Sequence, residues 1–527
     1  MKMKKPIKVL VSVLLLFSIF FTMLFSMQIT AGADPNSAYV AWSPDAGLVE
    51  AYEAEISGFL EGSETTYEIG CADALCALRN VANSSSEDRL NGKTFKLTAD
   101  IVFNQGNAAE WAEMSTDDLS GLWQWQSINT WRAVFDGNGH TISGIYIYTT
   151  ANYMSFFKNL NENGEVRNLG IVNSYFYGNG TAYFSGMVGQ IYAENCRISG
   201  CYSEAIVKGK GDSVGGFVGW VRGATTNGAV IEQCAFAGRV QNTNGGFAGG
   251  IVGMAHQDAT QVKISNCANY GSVSSSSSYE GAMTGRVSVI SMDHCVNFGT
   301  ITGPLAAGDA NALIGSIGKN GGTSHSLSVT IGAGNYIFTD LDQHLFSQQA
   351  NNTAYSTELA KVNTVPSSET VKGDGAKTVL TALDFENTWV TRENDYPMPK
   401  VVYDNFFKID VKYWQNTTPT EGTYAIRIIA EVSGLEYQNV GFEIEATYAG
   451  GSKSTTRTTQ TVYKSISADY GQTAVSARDG RYFVAIAITD IPTSAGAVTF
   501  EVTPIGNFSA GQERGTTVSF TFDPANP

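Results

Sequence analysis

The sequence predicts an all-β protein built around a parallel β-helix, a solenoid in which each coil stacks on the one before it. Two markers that recur in step carry this prediction. Cysteines recur at spacings of 33, 33 and 28 residues, at Cys201, Cys234, Cys267 and Cys295. A second motif, two apolar residues between small ones, recurs at a similar period between them, as in GMVG (186–189), GFVG (216–219), GIVG (250–253) and ALIG (312–315). Two independent markers at one period indicate repeated structural units.

Apolar or small side chains alternate with polar ones after each cysteine, as at Phe236, Gly238 and Val240. A period of two residues is typical of a strand with one buried face. A unit of about 30 residues cannot bury such a face alone, so neighbouring units must stack and place like residues above like. Glycine then falls where the coil turns or where two backbones approach closely. We expect clear coils from about residue 135 to 318.

The chain has seven cysteines, so at least one has no intramolecular partner. Stacked strands lie about 4.8 Å apart, which brings the four periodic cysteines within disulfide distance. Parallel side chains, however, fit the required dihedral angle poorly. We therefore expect buried thiols that fill an inward column, with disulfides as the alternative. A metal site is less favoured, because no CxxC motif or histidine cluster accompanies these cysteines.

The N-terminus has the order of a secretory signal peptide: four lysines, an apolar run over 9–27 and small residues at 31–33. We expect a signal peptide at 1–33, with a retained membrane anchor as the alternative. The formal charge of −16 argues against nucleic acid and anionic lipid as partners, because both need clustered Lys and Arg. The prediction is a secreted, extracellular protein, associated with the cell surface and not inserted in a membrane after cleavage.

The remaining chain divides into a lead segment at 34–65, the β-helix at 66–403 and a third region at 404–527. A short capping helix over the open end of the β-helix is predicted by the helical spacing of Ala72, Leu75, Leu78 and Val81.

Beyond the clear coils, residues 320–403 form an irregular capping region in which 382–401 is expected to be the closing strand. In the third region, six strand-like runs separated by turn residues predict an immunoglobulin-like β-sandwich. Within it Val440, Phe442, Ile444 and Ala446 are expected to face inward.

The stretch FDGNGHTISGIYIY, 135–148, contains Asp136 and His140 four residues apart. Asp-Gly-Asn-Gly is a tight-turn sequence, because Asn and Gly tolerate a positive φ. We interpret it as the entry turn of an early coil, and from the spacing we align Ile145 with Leu169 and with the cysteines. A catalytic or metal-binding Asp–His pair is the alternative.

The order KTFKLTADIVF, WQWQSI, FDGNGHTISGIYIY and then repeated NC…G.V units, over roughly 66–400, resembles the GLUG-repeat proteins. This resemblance implies a right-handed parallel β-helix of exported bacterial proteins, used mainly in adhesion or surface display, and a scaffold role for Trp125. Similar arrays precede the catalytic part of some bacterial immunoglobulin A metallopeptidases. Those enzymes carry an HExxH zinc motif, and their activity does not transfer, since no such motif includes His140, His256, His294, His325 or His344.

We expect a non-enzymatic, adhesin-like surface protein that binds a glycan or a host or cell-surface protein, without a cofactor or a metal. Tryptophan faces stack on sugar rings and anchor protein interfaces, and the candidate binding residues are Trp111, Trp123 and Trp131. The alternative is a carbohydrate-active enzyme, a polysaccharide lyase or glycoside hydrolase, with a groove site on the β-helix. Such an enzyme needs acidic or basic catalytic groups, and its first candidates are Asp136, Asp258 and Asp293.

Overall fold

The structure is a computed structural model that describes residues 39–523, with gaps at 85–86, 223–227, 256–261, 277–278, 304–311, 319–326, 342–343, 347–355, 393–394, 408, 421–422, 433–438, 449–450, 452, 461–481, 493–495, 509–510 and 516. The predicted signal peptide and Asp258 lie outside the described residues. Within them the protein is mostly β, as predicted. No helix in the described part of the chain is long and apolar enough to cross a membrane.

The strands between residues 66 and 365 form a parallel solenoid, in which each strand pairs with its equivalent in the next coil. Sheet I contains Thr66–Ile69, Thr94–Leu97, Val134–Asp136, Glu165–Arg167, Arg197–Ser199, Ala229–Glu232, Val262–Ser265, Val289–Asp293 and Ser328–Ile331. Sheet II contains Ile101–Val102, Thr141–Ser143, Gly170–Val172, Tyr202–Ser203, Ala235–Phe236, Ala268–Asn269, Val296–Asn297, Tyr336–Phe338 and Asn363–Val365.

Three further sheets complete each coil. Sheet III contains Tyr146–Thr149, Tyr175–Gly178, Ile206–Gly209, Arg239–Asn242, Ser272–Ser275 and Thr300–Thr302. Sheet IV contains Tyr153–Met154, Tyr183–Ser185, Ser213–Gly215, Phe247–Gly249 and Glu280–Gly281. Sheet V contains Ile128–Trp131, Phe157–Leu160, Val188–Ile191, Val218–Val221, Val252–Ala255, Thr284–Val287, Ala312–Ile317 and His344–Phe346. The chain passes through sheets V, I, II, III and IV and returns to V one coil further on, which confirms the predicted parallel β-helix.

The periodic cysteines form one inward column of the solenoid. Leu169, Cys201, Cys234, Cys267 and Cys295 are each completely buried. The thiols are free, and each donates to the carbonyl two residues before it, with Sγ–O distances between 3.2 and 3.4 Å. Burial raises the pKa of the last three thiols well above the ordinary value. As expected, the column is filled by small apolar side chains rather than by disulfides.

The residue before each column position turns the chain from sheet I into sheet II. Its backbone is left-handed, with φ between 50° and 62°, at Asn168, Gly200, Gln233, Asn266 and His294. Glycine enters this region without cost, and Asn and His enter it more readily than most residues. The corner therefore explains why Asn, Gly or His so often precedes the cysteine in the repeat.

The glycines of the GφφG motif mark the place where sheet V folds back against sheet IV. A Cβ on Gly219 would lie 2.7 Å from the Gly189 carbonyl oxygen and 3.0 Å from that of Phe184. A Cβ on Gly216 would lie 2.1 Å from the carbonyl oxygen of Gly250. These contacts leave no space for a side chain, as predicted for a close backbone approach.

Two helices cover the N-terminal end of the solenoid: α1 (Ala46–Glu61) and α2 (Ala72–Ser84). The second is the predicted capping helix, and the first lies in the lead segment, where no helix was predicted. At the end of α2, Asn83 donates to the carbonyl of Ser127 at 3.0 Å and accepts from the amide of Asn129 at 2.7 Å. The Asn83 side chain thus satisfies backbone groups at the exposed edge of sheet V, as expected for a capping helix.

The other short elements lie in loops or in the capping region. Among the described residues they are α3 (Ala108–Trp111), α4 (Ser356–Leu359), α5 (Gly375–Val379) and α6 (Lys400–Phe406), 3₁₀ turns at Glu87–Leu90, Thr339–Leu341 and Ser368–Val371, and a strand pair of Tyr39–Val40 with Gln105–Gly106.

Residues 375–407 return along the outer face of sheet II, and we call this segment the strap. It contains a hairpin, Trp389–Arg392 with Asp395–Pro399, followed by α6. Its apolar side chains Trp389, Met398, Val402 and Phe406 pack on outward residues of sheet II such as Tyr202, Ala235 and Ala268. The predicted closing strand at 382–401 is therefore wrong, because these apolar residues cover a side of the solenoid instead of continuing it.

Two antiparallel sheets follow the strap. One contains Ile409–Thr420, Thr423–Val432 and Tyr482–Pro492. The other contains Lys453–Gln460, Asn439–Tyr448, Val498–Phe508, Gly511–Arg514 and Val518–Phe522. Phe442, Ile444 and Ala446 are buried, as their alternation predicted; the side chain of Val440 lies outside the described part of the chain. The immunoglobulin-like assignment and the domain boundaries stay predictions.

Candidate functional site

Asp136 ends a strand of sheet I and lies beside Arg167 of the next coil. Arg167 donates to the Asp136 carboxylate at 3.0 Å, and the amide of Asn138 donates to it at 2.9 Å. The second bond closes the predicted Asp-Gly-Asn-Gly turn. These contacts give Asp136 a structural role as a turn residue and a partner in an ion pair.

Asp293 occupies the same ladder position as Asp136, five strands further along sheet I. At about 4.8 Å per strand the two residues are about 24 Å apart, far more than the roughly 5 to 10 Å between the carboxylates of a glycosidase. Glu232 stands between them, about 10 Å from Asp293 by the same spacing. Glu232 pairs with Arg197, and Asp293 pairs with Lys263 at 3.7 Å and with His294 at 2.9 Å. Each acid of the ladder therefore has a cationic partner on its own or a neighbouring strand.

His140 is buried, and its partner is not Asp136. Its Nδ1 lies 3.5 Å from a carboxylate oxygen of Asp100, which also accepts from the amide of Thr141 at 2.7 Å. Gly170 pairs with Thr141, so Leu169 is in register with His140. The predicted alignment of Ile145 with Leu169 is therefore wrong. His140 occupies the position of the cysteine column one coil before Leu169, and a buried carboxylate lies beside its ring.

The three candidate tryptophans lie inside or against the fold. Trp111 is completely buried among Leu119, Leu122 and tyrosines of sheet III. Trp131 is completely buried and packs on Phe95, Phe135 and Phe157. Fully buried indoles present no face to a glycan, so the surface predicted at these two residues is not formed by them.

Trp123 is half-buried and belongs to an aromatic cluster that packs on the core. It stacks on Phe103 at a centroid distance of 5.0 Å, meets Trp42 edge-on at 4.6 Å, and lies 5.7 Å from the Arg79 guanidinium carbon. Its binding role stays a prediction. Trp125, which the resemblance assigned to the scaffold, is buried.

A different group of aromatic side chains lies on the outer side of sheets IV and V. We call it the arch face and define it by Tyr153, Lys158, Tyr183, Tyr192, Trp220 and Arg222. The strand register sets Tyr153 beside Tyr183, with ring centroids 5.8 Å apart. The rings of Tyr183 and Trp220 stack at 4.0 Å. Tyr153 and Tyr183 therefore present partly exposed rings on adjacent coils, which suit ring-stacking ligands, whereas Trp220 is only 6% exposed and supports the ring of Tyr183 from within.

Two cations border the aromatic surface of the arch face. The Lys158 ammonium lies 5.4 Å from the centroid of Tyr153. The Arg222 guanidinium carbon lies 5.1 Å from Trp220 and 5.8 Å from Tyr192, and Tyr192 is 49% exposed. Tyr153 and Tyr183 are 30 residues apart, which is one repeat. This spacing indicates that they lie on one face, but it was not used to predict a binding surface.

Glu280 is a buried carboxyl in an apolar column of sheet IV. It follows Phe184, Val214 and Ala248 in register, and neither of its carboxyl oxygens has a hydrogen-bond partner. Burial raises its pKa to about 8. The group is therefore mostly protonated at neutral pH, because burial disfavours the charged carboxylate.

Among the described residues, no group of three or more His, Cys, Asp or Glu side chains is placed to hold a metal ion. Comparison with known proteins adds little. No protein-family profile and no curated protein matches the chain. One crystal structure, of a candidate immunoglobulin A1 protease from Bacteroides ovatus, is similar with 22% identity over 64% of this chain and 94% of that chain, at a TM-score of 0.44.

Proposed function

We propose that this chain is an exported, non-enzymatic, adhesin-like protein whose β-solenoid displays a binding surface for a glycan or for a host or cell-surface protein. The observation that carries the proposal is the arch face, where the partly exposed rings of Tyr153 and Tyr183 lie in register on adjacent coils. Rings on adjacent coils suit a chain-like ligand that lies across both coils better than a compact one. We further propose membership of the GLUG-repeat proteins, secretion through the signal peptide, and a place outside the cell.

The charged ladder of sheet I argues against the enzymatic alternative. Its carboxylates at Asp136, Glu232 and Asp293 each contact a cation. These contacts give the three carboxylates a structural role within the solenoid.

Retention on solid ligands tests the binding function. The full chain is passed over immobilised mucin, insoluble plant polysaccharides and fixed bacterial cells, and Tyr183→Ser is compared with the unchanged protein. Serine is chosen because Ser213 occupies the same ladder position in the next coil, so the coil is expected to fold. We expect retention of the unchanged chain on at least one matrix and its loss in Tyr183→Ser; no retention on any matrix would refute the proposal.

Product analysis tests the enzymatic alternative. The chain is incubated with the same polysaccharides, and new reducing ends and unsaturated products are measured. We expect none. Release that disappears in Glu232→Gln and Asp293→Asn, the two ladder carboxylates about 10 Å apart by strand spacing, would replace the binding function with hydrolysis or lyase chemistry.

A further inference from the structure

The strap carries the chain back along the solenoid to its first coils. The last strand of sheet II, Asn363–Val365, lies six strands beyond Gly170–Val172. Near the end of the strap, Asn405 donates to the side-chain oxygen of Asn168 at 3.3 Å, just before that early strand. At about 4.8 Å per strand, the strap therefore returns by about 29 Å. The chain enters the C-terminal sheets near the start of the solenoid and not at its far end.

The N-terminal part of the chain is fixed at the same end of the solenoid. Tyr39–Val40 pairs with Gln105–Gly106, close to the first strands, and Asn83 of α2 bonds to the edge of sheet V. Tension between the N-terminal segment and the C-terminal sheets therefore crosses only the first coils and the end of the strap. The later coils lie outside this path as long as the end of the strap stays attached.

The strap and the coils are attached in different ways. Among the described residues, the two strands of the strap pair only with each other. Its end is held by side chains such as Phe406, whose ring centroid lies 5.9 Å from that of Tyr202. Neighbouring coils instead share parallel strand pairs in up to five sheets. A pull on α6 loads its contacts one after another, whereas separating two coils loads many backbone hydrogen bonds together, so the strap is the weaker attachment.

We propose that the strap is a mechanical latch. Under tension between the two ends of the chain, α6 and then the hairpin peel from sheet II before any coil opens. The released strap lengthens the chain while the solenoid stays folded. The strap spans residues 375–407, and a chain of that length reaches about 115 Å when extended, at about 3.5 Å per residue. This inference goes beyond the binding function and does not depend on the ligand.

Gly139 and Asn405 allow the latch to be locked covalently. A Cβ on Gly139 would lie 3.6 Å from the Cβ of Asn405, within the range of about 3.5 to 4.5 Å between the Cβ atoms of a disulfide. The double variant Gly139→Cys, Asn405→Cys therefore ties the end of the strap to the first coil when it is oxidised and frees it when it is reduced. Gly139 has a φ of 79°, so the reduced form is the matched control for the cost of a side chain there.

Optical-tweezers extension of residues 34–527, held by tags at the two ends, tests the latch. We expect the reduced variant to show an early extension of roughly 100 Å, which is the extended strap less its folded span. The oxidised variant should lose this extension and also the later extension of the coils, because the disulfide removes residues 140–404 from the path of the force.

Two phenylalanines separate the strap from the coils. Phe406 is a completely buried ring of α6, and Phe176 is a completely buried ring inside the solenoid. We expect Phe406→Ala to lower the force of the early extension without changing its length. Phe176→Ala should lower only the force of the later extension, because a large-to-small change weakens the packing around the ring that it removes.

The outcomes keep the latch and the binding function apart. An early extension that persists in the oxidised variant, or that weakens in Phe176→Ala and not in Phe406→Ala, would overturn the latch. A single event in which strap and coils open together would overturn it as well. Failure of the unchanged chain to be retained on any matrix, with the early extension present, would refute the binding function and leave the latch standing.

Discussion

Replacing Glu280 with glutamine should make the solenoid more stable at alkaline pH. In the folded protein the pKa of Glu280 is about 8, against an ordinary value of 4.5. Between these two values the unfolded chain has lost the proton that the folded chain keeps. The folded state therefore loses stability as the pH rises through this window and loses no more above about pH 8. Glutamine has nearly the same shape as glutamate and does not titrate. The stability of the Glu280→Gln variant should therefore not fall over this pH range.

The size of the effect follows from the same window. Each pH unit between the two pKa values changes the free energy of unfolding by about 1.4 kcal/mol. The loss of stability from pH 6 to pH 8 therefore has an upper limit of about 3 kcal/mol. Water that reaches the carboxyl screens part of this penalty, and we expect about 2 kcal/mol. Urea denaturation at pH 6, 7 and 8 measures it, and all three values lie above the sequence pI of about 4.8.

The comparison of variants decides whether burial of Glu280 is the cause. Glu68→Gln removes an exposed glutamate from the first strand of sheet I and should leave the pH dependence of the unfolding free energy unchanged. If Glu280→Gln shifted the free energy by the same amount at pH 6 and pH 8, the side chain would be acting through packing, and the argument from a buried neutral carboxyl would be refuted.

Gly216→Ala should lower the free energy of unfolding by about 2 to 3 kcal/mol, because its Cβ would lie 2.1 Å from a carbonyl oxygen of the next coil. Gly58→Ala, in open space on α1, should raise it by about 0.5 to 1 kcal/mol, and urea denaturation of the pair checks both. Gln233 has a φ of 52°, which is costly for a residue with a side chain. Gln233→Gly should therefore stabilise the protein by about 1 kcal/mol, and Gln233→Val should destabilise it. A higher thermal midpoint for the valine variant than for the glycine variant would contradict this role of the corner. Alkylation with mass spectrometry should label half-buried Cys71 in the native protein and Cys234 only after unfolding, and equal native rates would disprove the buried column.

The repeat was predictable from the sequence because each marker reports a hard steric constraint. The GφφG glycines lie where a Cβ would meet backbone, and the periodic cysteines are completely buried in one inward column. The register of the first coil was not predictable from spacing. There a histidine stands where later coils have a cysteine. The register is set by the pairing of Thr141 with Gly170, which is seen only in the folded structure.

The site was less predictable than the fold, because a solenoid buries large side chains on both sides of its sheets. Trp111 and Trp131 were expected on a surface, but an insertion and the first coils enclose them. Tyr183 and Trp220 were not selected, because they lie in different sheets of different coils, and only the fold brings their rings together. The strap was missed for a related reason: its alternating apolar residues resemble those of a strand within the solenoid.

The strap has a consequence for how the protein unfolds. A solenoid without such a feature is joined only by neighbouring interfaces, so its terminal coils can fray one at a time. Here Trp389 bonds to Asn266, Phe406 packs on Tyr202, and Asn405 reaches Asn168 near the first coils. Because a single segment contacts early, middle and late coils, opening any one of them must first release contacts shared with the others. The rod is therefore expected to melt as one cooperative unit, and cutting the strap should divide that transition into several.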